Sequence, residues 1–490
     1  MKSDHGSAEP EKVRVLIAAS EITPYAKTGG LGDVMGSLPA ALQMCGADVS
    51  LVMPAYSCVL NGGYAFDTPD IHFRAPVSNR FEPGEILTLK NRDGISIYFV
   101  RSDKYFDREF LYGTPDGDYP DNAERFVFFS RAILELARRI EPQVIHVNDW
   151  QAALAVAFLK SQPARYPELV STRTVITIHN LGYQGKFRTA DWHLLNLDWS
   201  LFTPSYLEFY GDINFLKAGI VFADAITTVS PTYAEEIRTK EQGFGLEGVF
   251  KERSGRLFGI LNGVDYRIWD PATDALIAQN YGPGDTRGKA ACSQDLRRCF
   301  GLESDDLPLI GMVTRLSTQK GLDLVRDAFA RLLRRGCRFA LLGSGERVLQ
   351  DSFVQLARQH KGEVGVEIAF SESLAHQIIA GSDILLMPSR YEPGGLIQLY
   401  GFKYGTIPVV RATGGLKDTV THFDARTGKG NGFLFSEYSA NGLVSAVDLA
   451  LRVFNRKDVW AGLMRNAMLA DFSWEGSARQ YLDVYAKIMP

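Results

Sequence analysis

The sequence predicts an α/β chain of two Rossmann-like domains with parallel sheets. Three observations carry that expectation. The first is length: 490 residues exceed what one ordinary hydrophobic core encloses. The second is a series of short apolar runs, such as Ile384 to Met387 and Ile407 to Val410, separated by helical stretches, the pattern of strands buried on both faces. The third is a repeated loop. Residues 28–33 read TGGLGD and residues 413–418 read TGGLKD, and each copy precedes a helical stretch. Unpaired amides at a helix start can hold an anion, so a copy in each half suggests two related domains facing each other across a cleft.

Bulk properties narrow the function. Apolar residues make up 46% and charged residues 22%, an ordinary soluble composition. A net charge of −4 without a basic block excludes nucleic acid as an expected partner. The five cysteines are scattered, odd in number and without metal spacing, which predicts a reducing, cytoplasmic setting. No apolar run approaches the about 20 residues that a membrane helix needs, so no membrane partner is expected. Residues 1–12 are polar and acidic and read as a flexible tail rather than a targeting segment.

In the first half, Val13 to Ala19 opens a sheet, followed by a loop carrying Glu21, Lys27 and glycines, and then by a helix over Asp33 to Leu42. The loop is neither a dinucleotide fingerprint nor a P-loop, whose lysine follows the glycines. Lys27 precedes them, and is either a phosphate contact or a surface lysine. Val49 to Met53 and Ile95 to Val100 continue the sheet. Asp116 and Asp118 lie in a Gly- and Pro-rich stretch that reads as a polar turn before a metal site, so no metal is expected. After a helix over Asn122 to Arg139, the strand Val144 to Val147 ends in Asn148-Asp149-Trp150, and Val175 to Ile178 ends in His179-Asn180. His179 alone would suit a structural role, but two polar strand ends at one sheet edge favour a sugar site. Ala225 to Val229 closes this half.

The expected boundaries are a domain over 13–260, a second over 261–470 and a last helical segment over 471–490. The irregular region Asp270 to Thr286 marks the transition, and a hinge is expected in the irregular region after Asp265 and near the final helix, where few packed contacts need break. Pro308 to Thr314 starts the second sheet and delivers Arg315 and Lys320 to a loop and helix start, where paired cations suit a diphosphate. Phe339 to Leu342, Val366 to Phe370 and Ile384 to Met387 extend this sheet. Glu392 follows the last of these runs, at the carboxyl edge where ligands of open α/β sheets bind. Helices are expected over Ala440 to Ala470 and Trp474 to Ile488.

These residues resemble a known family. Lys27-Thr-Gly-Gly-Leu-Gly-Asp-Val34, Asp118 to Arg125, Asn148-Asp-Trp-Gln-Ala152, Thr177-Ile-His-Asn-Leu181, Asn262-Gly-Val-Asp265, Arg315 to Gly321, Pro388 to Tyr400 and Thr413-Gly-Gly-Leu416 are similar, in order, to the motifs of glycogen and starch synthases, best of all the bacterial ADP-glucose-using branch. The resemblance implies a GT-B fold and glucose transfer to an α-1,4-glucan primer with retention, without a cofactor. It implies that the final helix returns to the first domain. It assigns Lys27, Gly29, Gly30 and Asp33 to the donor loop, Arg315 and Lys320 to the diphosphate with help from Gly414 and Gly415, and Glu392 to the sugar hydroxyls. His179 would present its carbonyl near the anomeric carbon, and Asp149 and Asn180 would bind glucose. Asn262, Gly394, Gly395, Leu396 and Thr413 complete the implied donor site. Gly394 stands where relatives usually carry Cys, and Tyr400 where broader retaining relatives carry a second Glu, which excludes a two-carboxylate mechanism on that helix. The alternatives are a UDP-glucose-using or other retaining GT-B enzyme, and a catalytically silent glucan-binding protein.

Overall fold

Runs of Val, Ile and Leu that are apolar on both faces form the central strands of two separate sheets, because only a strand covered on both sides buries them. A computed structural model describes residues 12–114 and 116–489; the expected tail falls almost wholly on residues 1–11, outside the described residues. The chain divides into one unit of Met1–Val229, Glu236–Ile260 and Trp474–Pro490, and a second of Ser230–Glu235 and Leu261–Ser473.

The first unit holds a nine-stranded sheet in the order Leu257–Gly259, Ala225–Thr228, Arg173–Ile178, Val144–Asn148, Arg14–Ala18, Asp48–Pro54, Ser96–Arg101, Arg80–Lys90, Asp67–Val77. The first seven run parallel, and the last two form an antiparallel hairpin at the edge. That hairpin has no counterpart in the sequence reading. Pro76 and Pro83 interrupt its pattern, and both lie where the ladder has a neighbour on one side only, the place a strand tolerates proline. The helix Asn122–Ile140 is buried along nearly its whole length, Arg125 and Arg131 included.

The last helix, Trp474–Ile488, belongs to the first unit and packs on the helix Gly30–Met44. Its Tyr485 hydroxyl lies 2.8 Å from Nδ1 of the buried His146, whose Nε2 lies 2.6 Å from the Thr177 hydroxyl. The helix is thereby tied to the sheet floor through a polar contact in an apolar setting, where an unmade hydrogen bond is costly.

The second unit carries a six-stranded, wholly parallel sheet in the order Val364–Glu367, Arg338–Leu342, Leu309–Val313, Ile384–Met387, Ile407–Arg411, Phe433–Phe435. Two expectations are corrected here. The strand expected over Val366 to Phe370 begins at Val364 and ends at Glu367, because the register pairs Phe339 with Val364, and Phe370 is left exposed. The region after Asp265 is irregular but firmly packed. Trp269 is stacked between His376 and Tyr400, with centroids 3.7 and 3.9 Å away, and Asp274 accepts hydrogen bonds from Tyr404 and His376. A segment pinned by a sandwiched indole and a buried carboxylate lacks the sparse contacts expected of a hinge.

Burial and the nearby His179 push the His146 ring down to about 3. An unfolded chain takes up this proton near pH 6.5 and the folded one does not, so stability is lost as pH falls below 6.5. For one such ring the loss between pH 7.5 and 5.5 is about 1.4 kcal/mol. Chemical denaturation of the full chain at these two pH values should show His146→Gln narrowing the difference by about that amount. An unchanged difference would mean that the ring accepts a proton in place.

Candidate functional site

In the first unit the chain leaves the strand Arg14–Ala18 and places Glu21 under the glycine loop, 4% exposed. Its Oε2 accepts from the amides of Thr28 at 2.6 Å and Gly29 at 3.2 Å; its Oε1 accepts from the Thr28 hydroxyl at 2.6 Å and the Tyr112 hydroxyl at 2.7 Å. Ser20 in turn donates to Tyr112 at 2.7 Å. Burial of Tyr112, together with the charge of Glu21, holds its phenol well above the usual range. The amides that the sequence reading left free at Thr28 and Gly29 are thus engaged by the chain's own carboxylate, which needs such donors once buried. Lys27 is likewise paired: its Nζ lies 2.5 Å from Asp33 in the first turn of the helix Gly30–Met44.

The ends of Val144–Asn148 and Arg173–Ile178 form one cluster. Asp149 stands at the start of the helix Asp149–Ser161 with φ +54°, and accepts the His179 amide at 2.7 Å. Loss of surrounding water pushes its carboxyl up to about 7, against the pull of the amides of His179 and Asn180 and with a further push from Glu21. Asn148 donates to the Ala18 carbonyl at 3.2 Å, which orients its oxygen toward Nε2 of His179 at 2.9 Å. Nε2 therefore carries the proton. Burial holds the ring down to about 3, so His179 is neutral at physiological pH. The Asp149 carboxylate fixes the backbone of the His179–Asn180 turn, a job that the glucose-binding expectation did not include.

In the second unit two loops are stitched together. Lys320 Nζ lies 2.7 and 2.9 Å from the two carboxylate oxygens of Glu392, and Ser389 donates to the same carboxylate at 2.9 Å. Arg390 donates its amide to the Gln319 carbonyl at 2.8 Å. Gly321, with φ +71°, brings these loops into register: a Cβ there would stand 2.1 Å from the Pro388 carbonyl oxygen. Gly414, with φ +45°, does the same for the second glycine loop, where a Cβ would stand 2.0 Å from the Glu392 carbonyl oxygen. The amide of Gly415 donates to the carbonyls of Glu392 and Pro393, both at 3.0 Å, and is not the open anion donor the sequence suggested. Gln398 holds the Gly395 carbonyl at 2.6 Å, next to Leu396, and Asn262 reaches toward the Gly394 carbonyl at 3.5 Å. Thr413 is buried, whereas Arg315 is exposed, with Nη2 3.5 Å from the Gln319 amide oxygen.

Each unit therefore gathers its own predicted residues. Lys27, Gly29, Gly30 and Asp33 form one cluster and Asp149, His179 and Asn180 another, while Lys320 and Glu392 converge with Gly394–Gly395 and Gly414–Gly415, and Arg315 stands on the lysine's loop against Gln319. Tyr112 and Ser389 carry hydrogen bonds at these clusters without an individual signal in the sequence, and Glu21 and Asn148, named there only as loop and strand-end residues, do so as well. Glu21 offered a signal, an acid just past a buried strand and seven residues before the loop it fills. Among the described residues no group of three or more His, Cys, Asp or Glu is placed to hold a metal ion, and no helix is long and apolar enough to cross a membrane.

Residues 14–252 match the starch synthase catalytic domain family and residues 296–458 match glycosyl transferases group 1. The chain is 46% identical to a glycogen synthase of Koribacter versatilis (strain Ellin345), over 97% of this chain and 98% of the relative. It is 44% identical to a glycogen synthase of Syntrophotalea carbinolica, over 97% and 99%. Among solved structures it is similar to the catalytic domain of starch synthase IV from Arabidopsis thaliana bound to ADP and acarbose, at TM-score 0.90 and 34% identity, covering 98% and 100%. A sucrose-phosphate synthase from Thermosynechococcus elongatus, at TM-score 0.61 and 17% identity over 97% and 99%, shares the fold. The fold class is GT-B.

The Lys320–Glu392 pair has side chains 19% and 7% exposed, so removing the cation leaves a buried charge. Lys320→Ala should cost about 3 kcal/mol of stability. A double-mutant cycle with Lys320→Met and Glu392→Gln should return a coupling of about 2 kcal/mol by chemical denaturation. A coupling under about 0.5 kcal/mol would mean that water screens the pair. For Asp149, the ionised carboxylate is the stronger acceptor for the His179 amide. In an activity assay kcat/KM should rise through about pH 7. Asp149→Asn should flatten that limb and lower kcat/KM at pH 8 by about tenfold or more; an unaltered limb would assign the titration to another group.

Proposed function

Because the chain belongs to the glycogen and starch synthase family of glycosyltransferases, we propose that it transfers glucose from ADP-glucose to the non-reducing end of an α-1,4-glucan with retention of configuration. The observation that carries this reading is the Lys320–Glu392 pair, a cation and an acceptor carboxylate held at the carboxyl edge of a parallel sheet, with Arg315 earlier on the lysine's own loop. The similar starch synthase IV domain was bound to ADP and acarbose, which fits an ADP-sugar donor and a glucan acceptor here.

Arg315 and Lys320 neutralise the diphosphate as its charge grows, and Glu392 accepts hydrogen bonds from the donor sugar hydroxyls. Lys27 and the backbone around Gly30 serve the nucleotide diphosphate, with Asp33 holding the Lys27 ammonium in place and Glu21 holding the loop through the Gly29 amide. The His179 carbonyl faces positive charge building at the anomeric carbon, with Asp149 setting the turn that carries it and Asn180 binding glucose. In the transfer, the bond from the anomeric carbon to the phosphate oxygen breaks and its electron pair leaves with ADP. The glucan hydroxyl attacks from the same face and gives its proton to the departing phosphate oxygen. Tyr400, eight residues after Glu392, is no carboxylate nucleophile. Fixed cations at the leaving oxygen supply several kcal/mol in combination.

A donor panel of ADP-glucose and UDP-glucose with a glycogen primer tests the reading. ADP-glucose should be used at least about tenfold more efficiently, and the new linkage should be α. Arg315→Ala should lower kcat by about 100-fold or more with the fold intact, and Arg315→Lys should stay impaired because a point charge does not reproduce the guanidinium fork. Activity should persist in excess EDTA. Preferred use of UDP-glucose would overturn the donor assignment, and no turnover with any nucleotide sugar would leave a silent glucan-binding protein.

A further inference from the structure

We propose that the first unit carries a second ligand site, separate from the strand-tip clusters, which binds a phosphate dianion, free or esterified to a small metabolite. The site is an open cleft of about 580 Å³ whose lining includes Asn79, Phe81, Arg131, Gln162, Arg165 and Asn196. None of these residues belongs to the groups assigned above to glucosyl transfer. The cleft lies between the turn of the edge hairpin, the middle of the helix Asn122–Ile140 and the segment after the helix Asp149–Ser161.

Charge is the reason. Arg131 is fully buried, yet its hydrogen bonds go only to neutral acceptors: the Gln162 amide oxygen at 2.7 Å, the Tyr166 hydroxyl at 3.0 Å and the Leu195 carbonyl at 2.9 Å. Its Nε has no hydrogen-bond partner among the described residues, and its Cζ lies 3.5 Å from the Phe158 ring centroid. A buried guanidinium without a carboxylate is costly to hold, and an anion is its natural complement. The carboxylate felt at Arg131, Glu135, is already engaged by Arg138 at 3.3 Å.

A second cation adds to this excess. Arg165 is exposed, lies 5.9 Å over the Phe81 ring and has no ion pair among the described residues. It acts on Arg131 as a like charge, lowering the guanidinium's hold on its proton beyond what burial does. Arg80, also on the lining, adds no net charge, since Glu82 and Glu124 pair with it. An exposed guanidinium, with a second uncompensated one buried in the cleft wall and the amides of Asn79 and Asn196 beside them, suits a dianion with three acceptor oxygens. Phe81 is 53% exposed and supplies an apolar face for the body of the ligand. Ser78 and Asn196 hold the rim with φ of +56° and +53°.

Fructose 6-phosphate, inorganic phosphate and maltotriose, each titrated into the full chain and followed by calorimetry and thermal unfolding, distinguish the ligand classes. A phosphate probe should bind saturably. Arg165→Ala, a change at an exposed side chain, should weaken it at least about tenfold while leaving kcat and KM for glucosyl transfer unchanged. The signal should survive in Lys320→Ala, which separates this cleft from the diphosphate cations and keeps the result independent of the proposed reaction. Tighter binding of fructose 6-phosphate than of phosphate would make a phosphorylated sugar the source, and equal binding would make it free phosphate. No saturable binding of either probe, binding unaltered in Arg165→Ala, or binding of maltotriose alone would overturn the site.

Discussion

The contact between Lys320 and Glu392 organises the second unit's site. Glu392 is buried and charged, so it requires donors, and Lys320 and Ser389 supply them. That requirement holds the loop after Leu309–Val313 against the loop after Ile384–Met387. The glycines at 321 and 414 follow from it, since each lets one loop backbone touch a carbonyl of the other. A side chain at either place would push the carboxylate away from its lysine. Lys320 thus has its charge already shared with Glu392, and Arg315 is the more exposed cation.

The first unit reaches a similar end by carboxylates that grip backbone. Glu21 binds the amides of Thr28 and Gly29, and Asp149 binds the amide of His179. In both cases a side chain just beyond a strand end holds a loop that could not hold itself, because a glycine-rich or single-turn segment has few contacts of its own. The two groups differ in setting. Glu21 has four donors around it, whereas Asp149 loses more water than its amides return and titrates near neutrality. The grip of Asp149 therefore responds to pH.

Much was legible in the sequence because burial on both faces writes itself as continuous apolar runs. Ile384 to Met387 and Trp474 to Ile488 stand at the bounds expected from pattern alone. The strands through Val15, Val49, Val144 and Phe339 differ by a residue or so at their ends, where side-chain pattern weakens before the hydrogen-bond ladder does. The edge hairpin was not legible, since a strand with one open side needs no such run and carries prolines besides. Nor was the tight packing after Asp265, where Trp269 finds partners more than 100 residues away in His376 and Tyr400.

The sequence by itself determined which chemical groups stand beyond the strand ends: Asp149, His179, Arg315, Lys320 and Glu392, each a few residues past a buried run, where the ladder stops. Tertiary structure alone decided what those groups hold before any ligand arrives. Pairings such as Lys320 with Glu392 or Lys27 with Asp33, the burial that keeps His179 neutral, and the capture of loop amides by Glu21 depend on distances of a few ångströms. Lys320 and Glu392 stand 72 residues apart in the chain, and the nearer pairs meet only because the loop folds back on itself. Electrostatics falls with distance and grows as water is excluded, and a one-dimensional pattern records neither quantity.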